Sequence, residues 1–309
     1  MIEKICTRGM SEEAWVEARK GSIGGSDAAA IVGLNSYKSA YALWAEKSGR
    51  IEPEDISMKE AVRLGHELEP YVAKRFSEIT GKKVRRENYI LKNTEYPWAH
   101  ANVDRLVIGE KAGLECKTTS ALSLSKFKNG EYPANYYVQC VHYLATTGLE
   151  RWYLCCLIGN QEVKVFTIER DEDEIAALMD AEREFWAQVQ SGTAPMPDGS
   201  ESSSKSIAAL YDDEGGACDL TPFVSTLREY TGLKAQIKDL TARCDGLGNQ
   251  IKEFMGTASR GAAGDFRVSY SGRSKRTFDV KKYQKDNPGI DLSGYYKVSS
   301  YRQFEVKGA

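Results

Sequence analysis

Hydrophobic positions change their period several times along the chain, and each change marks an element. From residue 102 the sequence NVDRLVIGEKAGLECKTT alternates, breaks at GEKAG and resumes. That pattern predicts a hairpin, with VDRLVI leading out, a glycine-containing turn, and LECKTT returning. RWYLCCLI is apolar at successive positions, as on an interior strand, and it predicts a second hairpin with EVKVFTI through Gly159 and Asn160. KKVRRENYILK reads as one basic strand carrying Lys82, Lys83, Arg85 and Arg86; it could line a phosphate groove or form a solvated edge. Helical spacing appears after Ser11, over a segment with Trp15 and Arg19, and again from Ser39 to Gly49. Between them, GSIGGSDAAAIVGL predicts a tight turn into a short Ala-rich helix, capped by Ser26 or Asp27 and ended at Gly33. The longest such region runs from Ser57 to Gly81, with Ser57 and Glu60 as a capping-box pair and Pro70 predicting a kink or a division. NYYVQCVHYLATTG and RDEDEIAALMDAEREFWAQVQSG complete the predicted helices, the second with an acidic start suited to the helix dipole.

The last third of the chain differs. GTAPMPDGSESSSKS, residues 192–206, has linker composition, and the domain boundary is placed there. This gives a first domain over 1–198, a linker over 199–222 and an appendage over 223–309. Phe223, Tyr230, Leu233, Ile237, Leu240, Cys244, Leu247, Ile251 and Phe254 follow four-three spacing, broken by Thr226. That is a heptad seam over about four repeats. Gly232, Gly246 and Gly248 weaken it, so a coiled coil, a docked hairpin and a bent helix all fit. The tail, FRVSYSGRSKRTFDVKKYQ to YYKVSSYRQFEVK, reads as two or three strands rich in Lys, Arg and Tyr. Such a mixture suits single-stranded nucleic acid or a small solvated sheet.

Composition narrows the picture modestly. The 309 residues are 41% hydrophobic and 28% charged with net charge -2, ordinary values for a globular protein. No whole-chain basic signature is present, although a local groove can be basic on a neutral protein. Seven cysteines lack any C-x-x-C pair, which predicts a reducing cytosol, no disulfide framework and no zinc or iron–sulfur site. No apolar run approaches membrane-spanning length, and the start MIEKICTRGMSEE is not a signal peptide.

The chemistry gathers around the first hairpin. Side chains alternate faces along a strand, so Glu115 and Lys117 point one way and Cys116 the other. Pairing of the two strands would bring Asp104 near the end that Glu115 reaches. Two carboxylates with a backbone carbonyl can hold Mg²⁺, and a lysine beside it can orient water for attack on phosphorus. Glu-x-Lys on a strand is also a common surface salt bridge. Glu69 either shares an apolar helix face with Val72, Ala73 and Phe76, where a carboxylate needs a metal ion or a lysine as partner, or is an exposed glutamate on the opposite side. Gln139 and Tyr143, four apart, share a helix face. The glycine-rich turn before the Ala-rich helix offers backbone N–H groups to a phosphate or is simply a flexible turn.

Taken in order, GSIGGSDAAAIVG after Arg19, GHELEP with Glu69, Val103-Asp104, LECK at 114–117 and YYVQCVHY at 136–143 resemble the YqaJ-like viral recombinases. These are relatives of phage lambda exonuclease within the PD-(D/E)xK nuclease superfamily, and the resemblance covers about residues 10–195. The superfamily's proline is absent, since Asn102-Val103 precedes Asp104. The resemblance implies an α/β fold, with a restriction-endonuclease-like core of a central mixed sheet flanked by helices, and leaves the tail as an α+β appendage. It implies a Mg²⁺-dependent 5′→3′ exonuclease on linear double-stranded DNA, with Mn²⁺ able to substitute. Asp104, Glu115 and the Cys116 carbonyl would hold one ion, and Glu69 with Asp104 a second. Lys117 would position and help deprotonate water, Gln139 would steer water or substrate, and Tyr143 would contact DNA or pack. Arg19 and Ser26 correspond to a pocket for a terminal 5′-phosphate. Implied partners are DNA ends, a single-strand annealing protein of the RecT/Bet type and further copies of the chain, as a ring-shaped trimer; the implied setting is the cytoplasm of a bacterium carrying a phage or prophage. The rivals are a repair-type endonuclease on the same fold and a DNA-end-binding scaffold that does not cut.

Overall fold

A computed structural model describes residues 1–297 and 301–308. The chain divides into two compact units, Met1–Asp212 and Asp213–Ala309.

The first unit opens with β1 (Ile2–Cys6), α1 (Glu12–Lys20), β2 (Ile23–Gly24), α2 (Gly25–Ile31) and α3 (Ala40–Lys47). Ser11 caps α1 and Ser39 caps α3, each accepting from an N–H three residues on. At α2 the expected cap shifts: Gly24 is the cap residue, and Asp27 reaches back to accept from its N–H at 3.0 Å. Ser26 is therefore already inside the helix, on its exposed side. Next come α4 (Glu60–Thr80), β3 (Val84–Arg86), β4 (Tyr89–Asn93), β5 (Ala99–Ala101), β6 (Arg105–Val107) and β7 (Ala112–Thr119). α4 begins at Glu60 rather than Ser57, whose N–H instead bonds Asp55 in a turn, and it runs unbroken through Pro70 to Gly81 in the left-handed conformation. A 3₁₀ segment, Ala121–Gly130, leads to α5 (Ala134–Thr147), β8 (Arg151–Ile158), β9 (Glu162–Glu169), α6 (Glu172–Ser191) and α7 (Glu201–Leu210). α7 lies within the Ser-rich stretch read as a linker; Ser203 Oγ donates its proton to Asp198 Oδ1 at 2.6 Å and accepts from Ser39 Oγ at 2.9 Å, which ties the helix to the start of α3.

Five strands form a mixed sheet in the order β3-β6-β7-β8-β9, parallel only between β7 and β8. Both predicted hairpins are present in it, β6–β7 and β8–β9. A second, four-stranded sheet has the order β1-β4-β5-β2. The basic stretch 82–92 is thus not one strand: β3 edges the first sheet and β4 joins the second. α5 is buried from Val138 to Thr147 on all sides, because it lies between the five-stranded sheet and a layer made of α2, α6 and the second sheet. Leu144, Trp152, Leu154, Cys156, Ile175 and Met179 make the largest core on that side. On the opposite face of the five-stranded sheet, Val72 and Phe76 of α4 pack against Leu114, Tyr153 and Cys155.

The second unit holds α8 (Val224–Met255), a hairpin of β10 (Arg260–Ala263) with β11 (Phe266–Ser269), and α9 (Val280–Asp286). The heptad segment is one continuous helix. Among the described residues the tail supplies one strand of this hairpin, β11, and the helix α9, where two or three strands were expected. The remaining strand reading, YYKVSSYRQFEVK, falls partly outside the described residues. No helix among the described residues is long and apolar enough to cross a membrane.

Candidate active site

β7 has a strand on each side in the sheet, α4 over one face and α5 over the other. Alternation sends Cys116 toward the α4 core and Glu115 and Lys117 toward α5. β6 pairs with β7 only as far as Arg105 and Leu114. Beyond that point the β6 side of β7 is open, and Asp104 takes the vacant ladder position. Its Oδ2 accepts from the Cys116 N–H at 2.8 Å. A strand residue's N–H and C=O point to the same side, so the Cys116 carbonyl also faces Asp104.

Glu115 is 3% exposed. Its Oε1 accepts from Lys117 Nζ at 2.7 Å and from Gln139 Nε2 at 2.9 Å. Gln139 is saturated: its Oε1 accepts from Lys117 at 2.8 Å, and its amide also donates to the Tyr143 hydroxyl at 2.8 Å. Tyr136 closes the set, with Lys117 Nζ 5.3 Å from its ring centre. Helix α2 presses on the far side. A Cβ on Gly25 would lie 2.6 Å from the Tyr143 ring and 3.2 Å from Gln139 Cγ, so only glycine lets this backbone come so close.

The electrostatics follow from burial. Asp104 is pushed well above the usual carboxylate range by desolvation and by the fields of Glu115 and Glu69, against which the Cys116 N–H and Lys117 work. Burial works against the Lys117 charge, but Glu115, as ion and hydrogen-bond partner, outweighs it and raises the ammonium's pKa. Glu115 Oε2 is buried with no hydrogen-bond partner among the described residues. Clustered carboxylates with an orphaned oxygen and an inward carbonyl are the donor set a hard divalent cation takes. Asp104, Glu115 and the Cys116 carbonyl fit one such ion. No three acidic, His or Cys side chains converge among the described residues. Glu69, whose field reaches Asp104, hydrogen-bonds and pairs with Arg105 and lies 4.0 Å from Arg86.

The residues expected at a 5′-phosphate, Arg19 and Ser26, lie on α1 and α2. Arg19 stacks on Trp15 at 3.9 Å, and its Nε donates to His100 Nε2 at 3.2 Å. A guanidinium only donates, so His100 Nε2 is bare, and Nδ1 carries the proton to Ser22 Oγ at 2.9 Å. Burial, and then the positive charge of Arg19, push this imidazole down to about 3. A cavity of about 260 Å³ lined by Arg19, Lys20, Asp27 and Lys47 opens beside it. Ser26 sits on the exposed face of α2, with Gly25 between it and Gly24, which Arg19 approaches. The basic strand offers little free charge: Lys82 pairs with Glu110, Arg85 with Glu87, and Arg86 approaches Glu69.

Four contributors were not read from the sequence. Arg105 had a signal, as a charged residue at an inward strand position beside Asp104. Tyr136 lay inside a quoted motif without an assigned role, and Gly25 was read as a turn glycine without its close approach to Tyr143 and Gln139. His100 had none, since only the fold brings it to Arg19.

Residues 14–150 match the model of the YqaJ-like viral recombinase domain. The chain is 38% identical over 304 residues to "Uncharacterized protein YqaJ" of Bacillus subtilis (strain 168), covering 96% of this chain and 95% of that one. Its fold is similar to the crystal structure of an alkaline exonuclease, LHK-Exo, from Laribacter hongkongensis: TM-score 0.50 and 21% identity over 59% of this chain and 94% of that chain. With nearly its whole length aligned to the Bacillus protein, and its Asp104–Gln139 cluster inside the matched domain, the chain belongs to the YqaJ-like viral recombinase family.

Proposed function

We propose that this protein is a Mg²⁺-dependent exonuclease acting on the ends of linear double-stranded DNA. It degrades 5′→3′, releases 5′-mononucleotides and leaves a 3′ single strand for a partner that anneals it. The observation that carries this reading is the buried Asp104–Glu115–Lys117–Gln139 cluster, in which Glu115 Oε2 is left without a hydrogen-bond partner. An exonuclease fold and a recombinase family are what that cluster would serve.

A Mg²⁺ ion, when bound, supplies Lewis-acid charge at the scissile phosphate, and Mn²⁺ would do the same. Asp104, Glu115 and the Cys116 carbonyl would hold it. Glu69 takes part only if Arg105 gives it up, which makes a second ion conditional on that pair opening. Lys117 has three N–H bonds; two are committed to Glu115 and Gln139, and the third is free to orient the attacking water or a phosphate oxygen. Gln139 fixes the direction of that third bond because its own three partners fix it. Tyr143 buttresses Gln139 from below rather than reaching for DNA. Arg19, held by Trp15 and His100, presents its outer guanidinium nitrogens to a terminal phosphate, with Ser26 on the same approach.

The reading is tested with Lys117→Ala and Asp104→Asn. Both should bind linear duplex DNA as the wild type does in Ca²⁺, and both should lose at least 10²-fold in Mg²⁺-dependent nucleotide release. Cleavage by either variant at the wild-type rate would remove the cluster from the chemistry.

A further inference from the structure

The seam of α8 is open. Ile237 is 58% exposed, Leu240 60% and Leu247 53%, and Cys244 is exposed between them. Phe304 covers Tyr230 near the start of the helix, but from Leu233 to Phe254 the apolar stripe faces outward. A 32-residue helix with three internal glycines, each costing about 1 kcal/mol against alanine, needs packing to persist. We propose that α8 pairs with α8 of a second copy of this chain, as a parallel, in-register two-stranded coiled coil.

Three features of the register point to that occupant. With Tyr230, Ile237, Cys244 and Ile251 at the first core position, Leu233, Leu240, Leu247 and Phe254 fall at the fourth. Ile at the first and Leu at the fourth is the combination that favours two parallel strands. Gly232, Gly246 and Gly248 all fall outside the core positions, and so does every charged residue of the helix. The flanks are complementary to themselves. Glu229 precedes the first core position of one heptad, and Lys234 follows the fourth of the same heptad. In a parallel pair these are the residues that meet across the interface, twice by symmetry. The fully overlapped antiparallel pair would set Glu229 against Gln250 and Lys234 against Thr241, with no opposite charges meeting.

Light scattering on the full chain tests the pairing. Leu240 is exposed in the single chain, so Leu240→Asp leaves the first unit folded and disrupts only the seam. The variant's mass gives the assembly of the first unit alone. If that assembly holds an odd number of chains, its α8 helices cannot all pair internally, so the wild-type mass should be twice the variant's, and equal masses or a ratio of three or four would overturn the proposal; if the number is even, the Cys244 crosslink decides. Direction is read separately by oxidative crosslinking at Cys244 with Cys6→Ser and Cys218→Ser in place. Facing core positions in a parallel pair bring the two Cys244 Cα atoms within disulfide range, about 6 Å. A Cys244–Cys244 crosslink is expected; a dimer that fails to form it is antiparallel or out of register, and the proposal falls. Glu229→Lys should weaken the dimer at low salt, and adding Lys234→Glu should restore it.

Discussion

At the scale of single residues, the site depends on contacts that ordinary substitution tables would call neutral. Gly25 is the first residue of α2, so Gly25→Ala gains less from helix propensity than the roughly 1 kcal/mol of an interior site. The new methyl, however, would press into the Tyr143 ring at 2.6 Å, and overpacking of that kind costs about 1–3 kcal/mol. The clash wins: a lower urea midpoint is expected, with nucleotide release slowed about tenfold as Gln139 shifts. A midpoint above wild type would mean that α2 and α5 are less tightly apposed. Arg105→Ala strips Glu69 of its partner. Because Glu69 retains some solvent, the loss should be about 2 kcal/mol, below the 3–5 of a fully buried pair. His100 gives a signed pH effect. Its folded pKa, about 3, lies below the unfolded 6.5, so the unfolded chain takes up the proton first. The stability this group contributes is complete above pH 6.5 and declines as pH falls toward 3, on the order of 1 kcal/mol per unit. His142 works the other way: Glu182 and the His100 carbonyl overcome its burial and raise it, so its contribution is complete below 6.5 and fades as pH rises. Comparing urea unfolding at pH 7 and pH 5 for wild type and His100→Phe isolates the first effect; equal pH slopes would refute it.

Whole elements were legible wherever one face decides the pattern. The hairpin of β6 and β7 alternates cleanly because α4 covers one face and α5 the other, and the same alternation placed Glu115 and Lys117 together. α5 and α6 were readable from their length and their stops. What escaped the sequence was decided at a distance. Pro70 does not divide α4, because Val72 and Phe76 anchor the helix beyond it in the core. β3 and β4 are separated by two residues yet join different sheets, a partition no local pattern encodes. α7 looks like linker because Ser200, Ser203 and Ser206 are polar; the second and third are buried, and Ser203 bonds Ser39. Ser203→Val should therefore destabilise the first unit by about 1 kcal/mol through the unpaired Ser39 hydroxyl, measurable in its thermal midpoint. No change would place α7 outside the folded unit. Arg105 shows the limit most plainly: its residue type was visible, but its capture of Glu69 changes which carboxylates are free for a cation, and that depends on α4 lying over the β6 end.

For the molecule as a whole, the division at Asp212 and Asp213 predicts that limited proteolysis cuts the exposed stretch 212–220 first. The fragment 1–212 should retain the thermal midpoint of the first transition; a fragment that unfolds at once would tie the units together energetically. Asp104, Glu115, Lys117 and Arg19 all lie in that fragment, so the proposed end-directed cleavage should survive in it. The central claim is tested most directly by mixing the full protein and Mg²⁺ with linear duplex DNA bearing 5′-phosphate or 5′-hydroxyl ends, beside a covalently closed circle, and following release of nucleotides. Mononucleotides from the linear DNA alone, faster from the 5′-phosphate, are the predicted result. A nicked or linearised circle would make the protein an endonuclease, and binding to ends with no product from any substrate would make it a scaffold, each contradicting the account.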